Sequence, residues 1–266
     1  MSTPLVSFII PYYNAGTTIQ ETIDSIFNQS YPNFDIWLIN DGSTDQFSID
    51  KLKEFEGIEK IHLLHQENAG PSTARNKGII NSYADFFVFL DADDLIEKET
   101  LNFALDNIGE HDVLFGDCSY FGQRNSVKKQ VLPSSQEILI NNPIAVCTIT
   151  KARTIKEILF DPTLDKIGLE DWELWIHLFS LDYKFIYCDQ LLFKIRVMEN
   201  SRTFQVANKN LLNAKKYIYK KHSEFVFKEY LNIYQEKKEI VSNLDYKIGK
   251  LILQPYRLIK QKIKQK

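Results

Sequence analysis

Phe87-Val88-Phe89-Leu90-Asp91-Ala92-Asp93-Asp94 is an apolar run that ends abruptly in three carboxylates. The run reads as a strand buried on both faces. Carboxylates clustered at its end call for a cation, because desolvating them unpaired costs on the order of several kcal/mol each. In an extended backbone side chains alternate, which would aim Asp91 and Asp93 one way and Ala92 the other. Oxygen ligands at that spacing suit a hard divalent ion, Mg²⁺ or Mn²⁺, which can also hold the oxygens of a diphosphate. A DxD by itself is more often a polar strand end facing water, so its surroundings decide.

Working outward, Val6 to Ile10 is a continuous apolar run, a buried strand, that ends at Pro11-Tyr12-Tyr13-Asn14-Ala15-Gly16, a turn by composition. Thr17 and Gln20 have capping-box spacing, and Ile19, Ile23, Ile26 and Phe27 share one face of a helix that Tyr31-Pro32-Asn33 stops. Ile36 to Ile39 is a second buried strand, followed by the polar loop Asn40 to Asp45. Strand, helix, strand implies parallel pairing. Ile61 to Leu64 reads as a third strand, Asn68 to Pro71 as a loop, and Ser72 to Ser82 as a helix with Pro71 near its first position. Phe86 to Leu90 is the fourth strand, so the acidic cluster falls at the carboxyl edge of an open sheet, where such folds bind ligands.

The stretches VSFIIPYYNAGTTIQETIDSIFNQSYPNFDIWLINDGSTD from Val6, NAGPSTARNKGI from Asn68, FFVFLDADD from Phe86 and GLEDWELWIHL from Gly168 resemble the successive motifs of family 2 glycosyltransferases. A weaker fifth, FKIRVMENS, follows from Phe193. The set keeps the family's order across residues 5 to about 181, which makes it far more specific than a lone DxD. The resemblance implies the α/β GT-A fold, a Rossmann-like, mostly parallel sheet flanked by helices, with a C-terminal helical extension. It implies a glycosyltransferase domain over residues 1–202, with a nucleotide-binding half (1–95) and an acceptor half (96–202), and a basic, mainly helical extension over 203–266.

The same resemblance implies roles. Asp41 would accept the uracil N3–H, a task for an acceptor-only carboxylate. Pro11 and Tyr13 would pack against base and ribose, Tyr13 offering a flat ring with a polar tip, although a half-buried loop tyrosine reads equally well. Arg75 would stand near the nucleotide, where its guanidinium can neutralise phosphate; the alternative is a surface ion pair. Asp91 would serve the ribose side and Asp93 the Mn²⁺ or Mg²⁺ that bridges the diphosphate, with Ala92 between them in the donor site and Asp94 behind the ligands. Asp171, the second acid of the Glu170-Asp171 pair, would be the catalytic base of an inverting, metal-dependent transfer. The alternative makes both residues the acidic first turn of a helix, favoured by its dipole by ~0.3–1 kcal/mol. Leu174, Leu178 and Leu181 give that helix an apolar stripe, and Trp172 is its candidate acceptor platform. Donor and acceptor choice is expected from loops around residues 116–135 and 160–171. In many relatives an arginine, an aliphatic residue and a histidine follow the base helix; here the run is Arg196-Val197-Met198.

Composition fits one α/β domain with an extension: 266 residues, 44% of them hydrophobic, can bury a full core. Cys118, Cys147 and Cys188 are scattered, as in reduced cytoplasmic proteins, without disulfide or zinc spacing. Leu5 to Ile10 is too short and lacks the basic leader of a secretory signal, and no stretch approaches the ~20 apolar residues of a membrane span. Charge is divided: residues 1–202 carry net −13 and residues 203–266 net +10. Ile248, Leu251, Ile252, Leu258, Ile259 and Ile263 interleave with lysines and Arg257, a basic amphipathic pattern suited to an anionic membrane surface or to packing on the domain. The acidic main domain argues against nucleic acid.

The expected reaction moves a sugar from a nucleoside diphosphate sugar, a UDP-sugar by Asp41, to a saccharide or lipid-linked saccharide in surface polysaccharide synthesis. The expected location is the cytoplasm, peripheral to the inner membrane. Two other readings stand beside it. A binding protein that has lost turnover would fit Met198 in the histidine position. A phosphohydrolase of the haloacid dehalogenase type would fit VFLDADD, although that chemistry usually wants Thr or Val where Asp94 stands.

Overall fold

The computed structural model describes residues 3–198 and 208–242. Chain order begins β1 (Val6–Tyr12), α1 (Ile19–Phe27), β2 (Phe34–Asp41), α2 (Gln46–Lys53), β3 (Ile61–Gln66), α3 (Pro71–Asn81) and β4 (Phe86–Phe89). It continues with β5 (Leu95–Ile96), α4 (Thr100–Asn107), β6 (Val113–Gly122), β7 (Ser126–Lys128), α5 (Glu137–Ile140), β8 (Ile149–Lys151) and α6 (Ala152–Ile158). A 3₁₀ turn (Pro162–Lys166), α7 (Glu170–Ser180), β9 (Phe185–Val197), α8 (Asn208–Lys221) and α9 (Ser223–Ser242) complete it. The chain divides into two compact units, residues 1–221 and 222–266. The first therefore takes in α8, whereas the sequence places a boundary after residue 202. The basic amphipathic segment 248–266 lies outside the described residues.

The sheet of the first unit runs β3-β2-β1-β4-β8-β6-β9-β5, with β7 on β6. β1, β2, β3 and β4 pair in parallel, as the strand-helix-strand reading requires. β8 runs against both β4 and β6, β5 runs against β9, and β9 lies parallel to β6. The order explains where a ligand can enter. From β1 the chain winds outward to β2 and β3, then β4 returns to the other side of β1. A crevice opens at such a reversal, at the carboxyl ends of the strands.

β1 is buried on both faces. Phe8, Ile10 and Tyr12 join the core beneath Ile19, Ile23 and Ile26 of α1. On the opposite face α3 comes so close that a Cβ on Gly78 would lie 2.8 Å from the Ile39 side chain. Burying each such large apolar side chain stabilises the fold by ~1.5–3 kcal/mol. β1 extends through Pro11 to Tyr12, beyond the turn expected at Pro11. Proline is tolerated because β4 pairs only with Val6–Ile9, so Pro11 has a strand neighbour on one side, Ile39 of β2.

Local chemistry departs from the sequence reading at three places. Thr17 and Gln20 make no capping box: Thr18 occupies the cap position without a side-chain cap bond. Its hydroxyl donates instead to the carbonyls of Ala15 (3.2 Å) and Ala92 (3.0 Å), tying α1 to the acidic turn. Leu181 caps the end of α7 and is exposed, while the charged Glu173 is buried, paired with Lys221 at 2.9 Å. Residues 116–122 and 126–128 belong to the β6–β7 hairpin, so much of the expected 116–135 loop is strand.

Candidate active site

The carboxyl ends of β1, β2 and β4 carry the expected donor-site residues. Asp41, the last residue of β2, is buried. Its Oδ1 accepts from Gln66 Nε2 (2.8 Å) and the Ala69 N–H (2.8 Å), and its Oδ2 from the Gly70 N–H (2.9 Å). Asp41 thus shapes the loop that leads into α3. Tyr13 is 47% exposed beside this edge, whereas neighbouring Tyr12 is fully buried and donates its hydroxyl to the Ser48 carbonyl. Asn14, in the left-handed region at φ 50°, accepts the Thr44 and Asp45 N–H groups through Oδ1. It fastens the turn after β1 to the loop after β2, a role that only asparagine's tolerance of that region hinted at.

Beyond β4 the chain does not stay extended. The Asp94 N–H donates to the Asp91 carbonyl at 3.1 Å, closing a turn over Asp91-Ala92-Asp93-Asp94. Asp91 and Asp93 are therefore neighbours through a turn, not through strand alternation. Ala92 is buried, its carbonyl engaged by Thr18. Burial and the adjacent Asp91 push the Asp93 carboxyl up to about 6. Asp94 is buried and also pushed well up, by burial and then by its two acidic neighbours. It accepts from the Arg196 N–H at 2.8 Å and faces the Cys147 thiol. Arg196 completes the clamp, with Nε on the Asp93 carbonyl (3.1 Å) and a terminal nitrogen on Glu21 (2.9 Å). Met198, two residues farther on, is 43% exposed. Arg202, with Arg196 an alternative group for stabilising a leaving diphosphate, lies outside the described residues.

Arg75 projects from α3 and is buried to 3% exposure. One terminal nitrogen donates to Asp91 at 2.7 Å and the other faces Glu170 at 3.3 Å, while the guanidinium lies 5.2 Å from the Phe160 ring centre. Burial opposes its charge, but Asp91 and Glu170 hold the guanidinium firmly protonated. The ion pair expected as an alternative for Arg75 exists, with its guanidinium buried and its Asp91 partner 40% exposed.

Glu170 and Asp171 open α7 behind two residues with positive φ, Gly168 (82°) and Leu169 (71°). A non-glycine residue there costs roughly 1–2 kcal/mol, and the turn it permits sets both acids at a helix N-terminus. Asp171 Oδ1 accepts the Trp172 N–H at 2.7 Å, and Oδ2 accepts Asn142 Nδ2 at 2.8 Å. Burial, then Glu170, pushes the Asp171 carboxyl up to about 6, against the pull of the Trp172 N–H, Arg75 and Asn142. A carboxylate poised there can take a proton near neutral pH. Trp172, the expected acceptor platform, is 1% exposed, and its indole donates to the Ile138 carbonyl at 2.6 Å. It is a packing residue.

The profile of the family described as Glycosyl transferase family 2 matches residues 7–162, more than half of the chain. The chain belongs to glycosyl transferase family 2. An uncharacterized glycosyltransferase of Rickettsia felis is 32% identical over 226 residues, which are 80% of this chain and 37% of that protein. A putative teichuronic acid biosynthesis glycosyltransferase, TuaG of Bacillus subtilis, is 37% identical over 119 residues, 44% of this chain and 47% of TuaG. This family 2 chain spans about a third of the length of the Rickettsia relatives. Its fold is GT-A. Staphylococcus aureus TarS 1–349 in complex with UDP-GlcNAc aligns with TM-score 0.60 and 22% identity, covering 76% of this chain and 61% of that one. The mannosyltransferase PcManGT of Pyrobaculum calidifontis, in complex with GDP-Man and Mn²⁺, aligns with TM-score 0.57 and 17% identity, covering 75% and 59%. No described helix is long and apolar enough to cross a membrane.

Proposed function

We propose that this family 2 chain is an inverting, metal-dependent glycosyltransferase that takes a sugar from a nucleoside diphosphate sugar to a hydroxyl of a saccharide or lipid-linked saccharide. The observation that carries the reading is the Arg75 bridge. One buried guanidinium holds Asp91 of the acidic turn at 2.7 Å and Glu170, next to Asp171, at 3.3 Å. A candidate donor edge and a candidate base are thereby tied together. Family membership removes the phosphohydrolase reading, and the two donors that orient the Asp171 carboxylate support turnover over binding alone.

A uridine donor fits Asp41. An ionised carboxylate offers about four acceptor positions, and Gln66, Ala69 and Gly70 take three, leaving one for the uracil N3–H. The acidic turn fits Mn²⁺ or Mg²⁺: it is a hard-oxygen donor set in which burial, and then the neighbouring Asp91, raises Asp93, the situation a divalent cation relieves. Asp93 would hold the ion with Asp91 beside it, and the bound ion would neutralise charge on the departing diphosphate. In transfer, the acceptor oxygen bonds to the anomeric carbon as the bond from that carbon to the diphosphate oxygen breaks, and the hydroxyl proton passes to Asp171. A single displacement inverts the centre and needs no second carboxylate as nucleophile.

TuaG, by its name a teichuronic acid enzyme, supports a role in surface polysaccharide synthesis, and the net +10 over residues 203–266 supports work at an anionic inner membrane face in the cytoplasm. A thermal-shift series with UDP-, GDP- and dTDP-sugars, with and without Mn²⁺, tests the donor. A ligand at ~100 times its dissociation constant adds about 2.7 kcal/mol. Stabilisation by UDP-sugars that grows with Mn²⁺ is expected, and stabilisation by GDP- or dTDP-sugars alone overturns the uridine assignment.

A further inference from the structure

Asn142 belongs to no helix or strand, yet the segment that carries it is well anchored. It follows α5, a single helical turn that begins with a reciprocal pair: the Ser134 N–H donates to Glu137, and the Glu137 N–H donates to Ser134 Oγ. The last carbonyls of α5 are all engaged. Ile138 accepts from the Trp172 indole at 2.6 Å, Leu139 from the Tyr219 hydroxyl, and Ile140 from Lys215 at 3.1 Å. Just downstream the Ala145 N–H donates to the buried Gln130 side chain at 2.7 Å. Residues 134–145 thus form a strap held at its middle by α7 and α8 and at its far end by Gln130 beside β6.

From that strap Asn142 Nδ2 reaches Asp171 Oδ2 at 2.8 Å, while its own Oδ1 is buried with no hydrogen-bond partner. Leaving a buried carbonyl unpaired is unfavourable, so the arrangement is not one that stability alone selects. Its product is orientation: each Asp171 oxygen receives one donor, the Trp172 N–H or the Asn142 amide, and each keeps acceptor capacity.

We propose that Asn142 is the positioning residue of the base, its amide fixing the Asp171 carboxylate in one orientation and keeping it the proton acceptor. The inference rests on the reading of Asp171 as base. Around that carboxyl stand Glu170 on its own helix, Arg75 on α3, the Trp172 N–H and Asn142; burial and Glu170 favour the protonated form, the others the ionised form.

The test reads Asp171 directly. Protein labelled with ¹³C in its aspartate carboxyls is titrated by NMR, Asp171→Asn identifying the resonance. Asn142→Leu keeps the bulk without the donor, and Asn142→Ala supplies a second variant should the first fold poorly. Loss of a charge-assisted hydrogen bond should move the Asp171 midpoint upward by about one pH unit, and the acidic limb of UDP-N-acetylglucosamine hydrolysis should move with it. A midpoint unchanged in both variants overturns the proposal, as does a moved midpoint with an unmoved acidic limb. Failure of the base reading shows separately, as full turnover by Asp171→Asn.

Discussion

Asp165 accepts the Ser72 N–H at 2.7 Å and the Thr73 N–H at 3.2 Å, so a carboxylate from the 3₁₀ turn caps α3 across 93 residues of chain. An N-cap normally comes from the residue beside its helix. Here Gly70 supplies no side chain, and the cap arrives from the segment that leads to Asp171. Asp165→Ala should therefore lower stability by about 1–2 kcal/mol in urea unfolding, and transfer should fall further than donor binding. Stability and transfer both equal to wild type would show the contact to be idle.

Gly70 makes room for that cap. Its φ is +102°, and a Cβ there would stand 2.4 Å from the Asp165 Cβ. Gly70→Ala should cost about 1–3 kcal/mol from backbone strain with the clash added. Combined with Asp165→Ala the losses should be non-additive by ~0.5–3 kcal/mol, because the second change keeps the Asp165 Cβ but removes the Cγ and Oδ1 that the new Cβ would meet at 2.5 and 2.9 Å. Simple additivity in a double-mutant cycle would contradict this geometry.

The acidic turn gives a metal prediction. Asp93→Asn should abolish the Mn²⁺-dependent part of UDP binding in calorimetry while the fold survives, since it removes a carboxyl already pushed up to about 6 beside Asp91. Unaltered Mn²⁺-dependent binding would take Asp93 out of the ion site.

What the sequence made legible follows from range. The four parallel strands, the helix after Pro71 and the carboxyl-edge position of Asp41 and Asp91 rest on local apolar runs and turn residues, and all appear in the fold. Features closed by distant partners were not legible: the Thr18–Ala92 link, the burial of Trp172 under Ile138, the Asp165 cap and the Asn142 contact each join residues far apart in the chain. The turn at Asp91–Asp94 escapes a sequence reading for another reason: strand alternation does not extend past Phe89, where the pairing with β1 stops.

Asp171 sets a pH prediction. A base must be ionised to accept the proton, and this carboxyl is pushed up to about 6. Activity should be full above that value and fall about tenfold per pH unit below it. Asp171→Asn should reduce transfer by ~10²–10⁴-fold with donor binding little changed; a smaller loss would leave Asp171 as a helix-start acid only.

Met198 supplies the last. A thioether is a poor ligand for Mn²⁺, so the free protein should bind Mn²⁺ weakly, UDP should strengthen that binding, and Met198→His should tighten the ternary complex. Equal turnover in EDTA would defeat the metal reading and leave Arg196, already on the Asp93 carbonyl, as the better candidate among the described residues for stabilising the leaving diphosphate.

Because Trp172, Lys215 and Tyr219 all donate to carbonyls of α5, residues 134–145, α7 and α8 constrain one another's sequences. A hybrid that brought in another relative's α7 alone would leave the Ile138 carbonyl dependent on whatever residue replaced Trp172, and an exchanged α8 would do the same to the Leu139 and Ile140 carbonyls. Exchange of this region between relatives should therefore succeed only when residues 134–221 move as one block, β8 and β9 included.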